Sequence, residues 1–137
     1  MYPEKKSIHD TAMFDEIVNA ILSVMGDDAM KIILYGSVAR GDNTWESDVD
    51  IAVLSSREYD WQEEKQLILS ELSLEYDTLF SIKVIEEKHF YDWVDDLPFY
   101  HNIDLEGLTL WTKENGRICL DTALKEQQKN LIFRDIY

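Results

Sequence analysis

The sequence predicts an α/β or α+β fold, in which a small mixed β-sheet is flanked by helices. Segments with apolar residues at helical spacing alternate along the chain with short runs of β-branched and aromatic residues. The 137 residues are enough for one domain with a buried core. We assign residues 1–115 to this domain and residues 116–137 to a C-terminal extension.

The first elements are a long helix and a buried strand. The helix is predicted to begin at Asp10, its N-cap, and to end at Gly26. Its apolar residues recur at helical spacing; they are Phe14, Ile17, Val18, Ile21, Leu22 and Met25. The next run, residues 31–35, is short, β-branched and aromatic and stops at Gly36, which is typical of a buried strand.

A tight turn and a second strand follow. Gly36 permits a sharp change of chain direction, and Ser37 is predicted to be the N-cap of a short helix through residues 38–40. Asp48 and Asp50 open the second strand, which continues through residues 51–54. Because side chains alternate along a strand, both carboxylates are expected to point to one face.

The middle of the chain predicts a helix and a third strand. Asp60 is expected to start the helix through an aspartate version of the capping box. The apolar positions of this helix are Leu67, Ile68, Leu72 and Leu74. Residues 77–85 alternate as a strand does. One face of that strand carries Phe80, Ile82 and Val84.

The remaining chain predicts further helices, a last strand and the extension. Pro98 should end a helix whose apolar residues are Phe90, Trp93, Val94 and Leu97. A helical turn over residues 99–106 and a strand over residues 108–111 follow. Asp121 could cap a helix in the extension, which either docks a partner or folds back onto the domain. Core or core-edge positions are predicted for Trp61, Trp93 and Trp111.

The turn at Gly36 and the pair Asp48 and Asp50 together predict a nucleotide site. Glycine lets the backbone approach a ligand closely, and free N–H groups at the start of the short helix can bind a phosphate. Two neighbouring carboxylates are hard oxygen ligands that suit Mg²⁺. A complex of Mg²⁺ with a nucleotide would use both parts.

The segment between Gly36 and Asp50 resembles the GS-x10-DxD signature of the DNA polymerase β-type nucleotidyltransferase superfamily, in particular its minimal single-domain members. Gly36 and Ser37 supply the first part, and Asp48 and Asp50 supply the second part after ten intervening residues. The order of elements fits over residues 10–112, although only the signature itself is specific. The resemblance implies a polymerase β-like nucleotidyltransferase fold.

The resemblance also implies roles for individual residues. Asp48 and Asp50 would bind Mg²⁺ and act as the catalytic residues. The reaction would move AMP from ATP to a hydroxyl, with pyrophosphate leaving. The residues assigned to the ATP phosphates are Gly36, Ser37 and Arg40. For Arg40, an ion pair with Asp42 or Glu46 is the competing interpretation.

One position departs from the pattern of the superfamily. Active relatives carry a third carboxylate on a later strand, at the position that aligns here with Ser81. Serine is a poor substitute for a metal ligand and for a group that activates the attacking hydroxyl. The chain could therefore transfer slowly, use an acceptor that needs little activation, or bind a nucleotide without chemistry.

Composition narrows the class of partner. Twenty-eight acidic and thirteen basic side chains give a formal charge of −15. Such a chain repels polyanions, so direct binding of DNA or RNA is not expected. The charge would suit a basic protein partner, or it could simply keep the protein in solution.

Other features predict a cytoplasmic protein without a membrane partner. The single cysteine, Cys119, leaves no internal disulfide and fits a reducing cytosol. No apolar run approaches the roughly 20 residues that a bilayer span needs. The first residues do not have the pattern of a secretory signal.

The resemblance also implies a protein partner. Small members of the superfamily are commonly antitoxins paired with a HEPN-type ribonuclease toxin, which can receive AMP on a tyrosine. The acceptor site could instead be shared within a homo-oligomer. Two other functions remain open: a binding module that acts by contact alone, which Ser81 favours, and an aminoglycoside-type small-molecule nucleotidyltransferase, which the missing second domain disfavours.

Overall fold

A computed structural model describes residues 11–42, 48–76 and 78–118. The helices are α1 (Thr11–Met25), α2 (Gly36–Arg40), α3 (Gln62–Glu75), α4 (Glu87–Trp93) and α5 (Pro98–Glu106). The strands are β1 (Ala29–Tyr35), β2 (Val49–Ser55), β3 (Phe80–Glu86), β4 (Leu108–Thr112) and β5 (Gly116–Arg117), and a 3-10 turn, Gly26–Asp28, joins α1 to β1. Within these ranges no helix is long and apolar enough to cross a membrane.

The strands form one mixed sheet in the order β3-β2-β1-β4-β5. β2 and β3 are parallel and are joined by the crossover helix α3, whereas the other neighbouring pairs are antiparallel. The predicted class, a small mixed sheet flanked by helices, is therefore confirmed. β2 lies centrally and is buried along nearly its whole length, since helices cover the sheet on both faces.

Each face of the sheet has its own hydrophobic core. On one face, α1 and α3 pack against alternate residues of the strands, which include Ile32, Leu34, Ile51, Val53 and Ile82. On the other face, α4 and α5 bury a smaller set, which comprises Ile33, Ala52, Leu54, Ile85, Phe90 and Ile103. Asp50 has the same strand parity as Ala52 and Leu54, so its side chain belongs to the second, smaller face.

The start of α3 differs from the prediction. The N-cap position is occupied by Trp61, and Asp60 is one residue too early to cap the helix, although its Oδ1 accepts a hydrogen bond from the N–H of Gln62 at 3.2 Å. Ile68 and Leu72 are buried as expected. Leu67 and Leu74, however, are 62% and 89% exposed, because they lie on the outer side of the helix.

The predicted helix before Pro98 is shorter than expected. α4 ends at Trp93, a turn follows, and Leu97 is extended, as the residue before a proline usually is. Pro98 then opens α5 at its first turn. Trp93 is 48% exposed, so the prediction of a core or core-edge position is wrong for this residue. Trp61 is buried and Trp111 packs at the edge of the core, as predicted.

Residues at the start of the assigned extension belong to the sheet. Gly116–Arg117 form β5 against β4, which the sequence did not predict. Ile118 packs on the larger core, and its N–H donates to the Leu110 carbonyl at 2.9 Å. The helix predicted after Asp121 and the proposed N-cap Asp10 lie outside the described residues.

Candidate active site

The site begins at the turn from β1 into α2. Tyr35 ends β1 in an extended conformation, and Gly36 follows with φ +76°, a value that favours glycine over every other residue. The short helix starts two residues earlier than predicted, so Tyr35 and not Ser37 occupies the N-cap position. Ser37 lies in the first turn of α2, where its carbonyl accepts hydrogen bonds from the N–H groups of Gly41 and Asp42.

The two parts of the signature meet in space. The carboxyl group of Asp50 packs directly on the Cα of Gly36. A Cβ atom added to Gly36 would overlap Asp50 Oδ2 and would lie 3.2 Å from its Cγ. Glycine is therefore required here by the close approach of the carboxylate as well as by its φ angle.

Asp48 and Asp50 form a pair of neighbouring carboxylates. Asp48 immediately precedes β2 and is exposed, whereas Asp50 lies within the strand and is partly buried. Burial raises the pKa of Asp50, and the charge of Asp48 raises it further, whereas Arg40 and Lys83 act in the opposite direction. The repulsion between the two carboxylates would be relieved by a bound cation.

These carboxylates suit Mg²⁺ in the form in which it usually accompanies a nucleotide. Mg²⁺ is typically held by one or two carboxylates, several waters and the phosphate oxygens of the substrate. Asp48 and Asp50 supply such a donor set, next to a turn without a side chain at Gly36. Among the residues that the structure describes, no group of three or more histidine, cysteine, aspartate or glutamate side chains could hold a metal by itself.

Asp50 has a neighbour on each side within the sheet. Asp50 pairs with Tyr35 of β1 on one side and with Ser81 of β3 on the other. The pairing of Asp50 with Ser81 places serine beside the carboxylate site, where the sequence comparison with the superfamily led us to expect a third aspartate. Lys83, two residues further along β3, lies on the same face of the sheet as Ser81 and Asp50.

Arg40 is held by carboxylates at the end of α2. Its Nε lies 3.2 Å from Asp42 Oδ2, and its Nη1 lies 3.3 Å from Glu106 Oε2. Hydrogen bonds to these two groups raise the pKa of Arg40. The competing interpretation of Arg40, an ion pair with Asp42, is thus realised, while Glu46 lies outside the described residues. Arg40 nevertheless remains near enough to favour the ionised form of Asp50.

The sequence analysis did not single out three residues around the site, which are Tyr35, Lys83 and Glu106. Burial and the charge of Asp50 raise the pKa of Tyr35 to about 12. Tyr35 and Lys83 could have been found from the sequence, since Tyr35 directly precedes Gly36 and Lys83 follows Ser81 by two residues on the same strand. Glu106, by contrast, follows Arg40 by 66 residues, and only the packing of α5 against α2 reveals their contact.

The chain is similar in sequence to known proteins. Residues 18–115 match the family described as Polymerase beta, Nucleotidyltransferase. A protein of Methanocaldococcus jannaschii named "Putative protein adenylyltransferase" is 32% identical over 96 residues, which cover 70% of this chain and 92% of the relative.

Solved structures show the same fold. The structure of a "putative nucleotidyltransferase" from Sulfolobus solfataricus has a TM-score of 0.51 at 19% identity, and the match covers 79% of this chain and 87% of the other. A toxin–antitoxin complex with AMP-PNP has a TM-score of 0.51 at 17% identity, with 89% and 86% covered. The family match, the related sequence and the shared fold together establish that this chain belongs to the Polymerase beta nucleotidyltransferase family.

Proposed function

We propose that this nucleotidyltransferase moves AMP from ATP to a hydroxyl group on a partner protein, and that the reaction depends on Mg²⁺. The observation that carries the proposal is the contact of Asp50 with Gly36, since it joins a carboxylate pair to a turn that a ligand can approach closely. The choice of AMP is supported by the name of the Methanocaldococcus jannaschii relative.

Asp48 and Asp50 would hold the metal ion. When bound, Mg²⁺ would neutralise phosphate charge and orient the triphosphate. Ser37 and the backbone at Gly36 would hold the β- and γ-phosphates. Arg40 would add a phosphate contact by giving up its ion pairs with Asp42 and Glu106. The loss of these pairs would cost little free energy, because ion pairs at the protein surface contribute about 0–1 kcal/mol.

The transfer step exchanges one P–O bond for another. The oxygen of the acceptor hydroxyl bonds to the α-phosphorus of ATP, the bond from the α-phosphorus to the bridging oxygen breaks, and pyrophosphate leaves. The proton of the hydroxyl must be released, and Ser81 provides no carboxylate to accept it. A tyrosine acceptor would reduce this difficulty, because a phenol with a pKa of about 10 ionises far more readily than an aliphatic alcohol.

A protein acceptor is supported by two observations. The formal charge of −15 favours association with a basic protein. The fold is also shared with a toxin–antitoxin complex that was solved with AMP-PNP. We therefore propose a HEPN-type toxin as the partner, with a homo-oligomer as the alternative way to complete the acceptor site.

Ser81 favours a second candidate function, in which the chain neutralises its partner by contact and no longer transfers AMP. The two functions differ in their need for a nucleotide. For the enzyme, Mg²⁺-ATP should raise the melting temperature of the chain, and Asp48→Asn should abolish this effect. A module that acts by contact alone should show no such stabilisation.

Labelling tests the proposed transfer. The chain is incubated with Mg²⁺ and ATP radiolabelled in its α-phosphate, with and without the protein encoded by the adjacent gene. We expect label on the partner protein, and we expect it to be lost in the variant that combines Asp48→Asn with Asp50→Asn. A tight complex that never acquires label would instead support the contact function.

A further inference from the structure

A row of aromatic rings leads away from the carboxylate pair. Each ring in this row contacts the next, with centroids 5.8, 6.1, 5.4 and 6.3 Å apart. We call this row the aromatic ridge, and its members in order are Tyr35, Phe99, Tyr100, His89 and Trp93. The ridge starts beside the site, because Tyr35 pairs with Asp50 across the sheet.

The outer part of the ridge is not explained by the core of the domain. Trp93 is 48% exposed and Phe99 is 45% exposed, whereas the core beneath them is already closed by Phe90 and Ile103, which are 1% and 2% exposed. Two more apolar side chains in this region are exposed, Tyr91 of α4 at 47% and Leu97, just before α5, at 37%. A contiguous apolar surface of this kind on a folded domain usually marks an interaction site.

Contacts between α4 and α5 hold the middle of the ridge in place. The hydroxyl of Tyr100 and Nδ1 of His89 are hydrogen-bonded at 2.8 Å, which links α5 to α4. The ring of Tyr100 also packs on the buried ring of Phe90, with centroids 5.2 Å apart. Because these side chains are already ordered, a partner that docks on them loses less conformational entropy.

The segment that carries most of the ridge is rich in carboxylates. Residues 87–106 contain six acidic side chains and one lysine, and one of the six, Glu106, is paired with Arg40. That lysine, Lys88, is already paired with Asp92 at 2.7 Å. Asp95 and Asp96, in the turn between α4 and α5, are exposed and have no cation within 4 Å among the residues that the structure describes. The exposed rings of the ridge thus belong to a segment with a net negative charge.

We propose that the aromatic ridge is the docking surface for the acceptor protein, and that it binds a basic, amphipathic segment whose apolar side chains lie on the rings. The inference rests on the proposed function, since it assigns to that site the surface that brings the acceptor hydroxyl toward Asp48 and Asp50. A second copy of this chain is a poor occupant, because pairing two such surfaces would bring two segments of net negative charge together.

The test uses defined peptides and does not depend on AMP transfer. A fluorescein-labelled helical peptide of lysine and leucine with one tyrosine is titrated with the full chain without ATP, and binding is read by fluorescence anisotropy. A peptide with serine in place of every leucine has the same charge and serves as the reference. The ridge variant combines Trp93→Ser with Phe99→Ser. The control variant combines Leu67→Ser with Leu74→Ser, two exposed residues of α3 on the opposite face.

We expect the wild-type chain and the control variant to bind the leucine peptide at least about tenfold more tightly than the serine peptide, and the ridge variant to lose this preference. Equal binding of both peptides to the wild type would overturn the proposal, because net charge alone would then explain association. It would also be overturned if the ridge variant kept the preference, or if light scattering showed a wild-type dimer that only the ridge variant dissociates.

The same peptides separate this inference from the proposed function. If the ridge binds the leucine peptide but Mg²⁺-ATP never labels the peptide's tyrosine or the partner protein, the docking surface stands and the transfer reaction does not. If AMP is transferred to the partner equally well by the wild type and the ridge variant, the transfer stands and the docking surface is wrong.

Discussion

Replacement of Gly36 by alanine tests the contact on which the site is built. Alanine at φ +76° would cost about 1–2 kcal/mol through its backbone conformation alone. Its Cβ would also overlap Asp50 Oδ2, and relief of such an overlap in a packed site typically costs about 1–3 kcal/mol. We therefore expect Gly36→Ala to lower the free energy of unfolding by about 2–5 kcal/mol.

Two other glycines provide matched controls. Gly26 and Gly41 also have positive φ angles, +57° and +81°, but nothing lies within 4 Å of a Cβ built on either of them. Gly26→Ala and Gly41→Ala should therefore cost only the backbone term, about 1–2 kcal/mol. Urea unfolding of the three variants separates the backbone cost from the contact with Asp50.

The variants should also differ in ligand response. Because the added methyl group must displace the Asp50 carboxyl group, Gly36→Ala should lose the stabilisation by Mg²⁺-ATP, whereas Gly26→Ala and Gly41→Ala should keep it. If Gly36→Ala were no less stable than the two controls and still responded to Mg²⁺-ATP, the close packing of Asp50 on Gly36 would not be the basis of the site.

Three further changes test the electrostatics, the packing and the strand register. Because burial and Asp48 raise the pKa of Asp50, its ionisation opposes folding, and stability falls as the pH rises through the folded-state pKa. Asp50→Asn should thus be more stable than the wild type in metal-free buffer near neutral pH, and this difference in stability should shrink in acid. Urea unfolding at neutral and at acidic pH measures it, and the opposite trend would show that the carboxylate is stabilising. Ile68→Ala should lower the free energy of unfolding by about 2–5 kcal/mol, because Ile68 is fully buried on α3. Leu67→Ala, at the neighbouring exposed position, should change it by no more than about 0.5 kcal/mol. Equal losses of stability in thermal unfolding would contradict the orientation of the helix. Ser81→Asp would place a carboxylate beside Asp50, so the rate of AMP transfer should rise by about tenfold or more; an unchanged rate would show that the missing carboxylate does not limit the reaction.

The central part of the site could be predicted from the sequence because its determinants are local. At position 36, the positive φ and the lack of room for a Cβ atom both require glycine. At position 50, strand alternation determines the face of the sheet on which the carboxylate lies. Ser81 was singled out by its alignment with the third carboxylate of the superfamily, and the pairing of β2 with β3 sets it beside Asp50.

The α4–α5 region could not be predicted in the same way, because its structure depends on tertiary packing. Helical spacing placed Trp93 with the buried residue Phe90, yet α4 ends at Trp93 and the following turn leaves this ring half exposed. The contact of Arg40 with Glu106 joins residues far apart in the chain and follows from the position of α5. The aromatic ridge could not be predicted from the sequence either, because its rings come from β1, α4 and α5 and meet only in the folded chain.

The most direct test of the proposed chemistry determines which phosphate of ATP reaches the partner protein. The chain, Mg²⁺ and the adjacent-gene protein are incubated with ATP labelled either in the α-phosphate or in the γ-phosphate, and the proteins and the released phosphate species are separated. Transfer of AMP at Asp48 and Asp50 predicts that the α-label appears on the partner protein and the γ-label appears in pyrophosphate, and that both signals vanish when the two aspartates are changed to asparagine. The account would be contradicted by γ-label on the partner, or by α-label that persists in the asparagine variant.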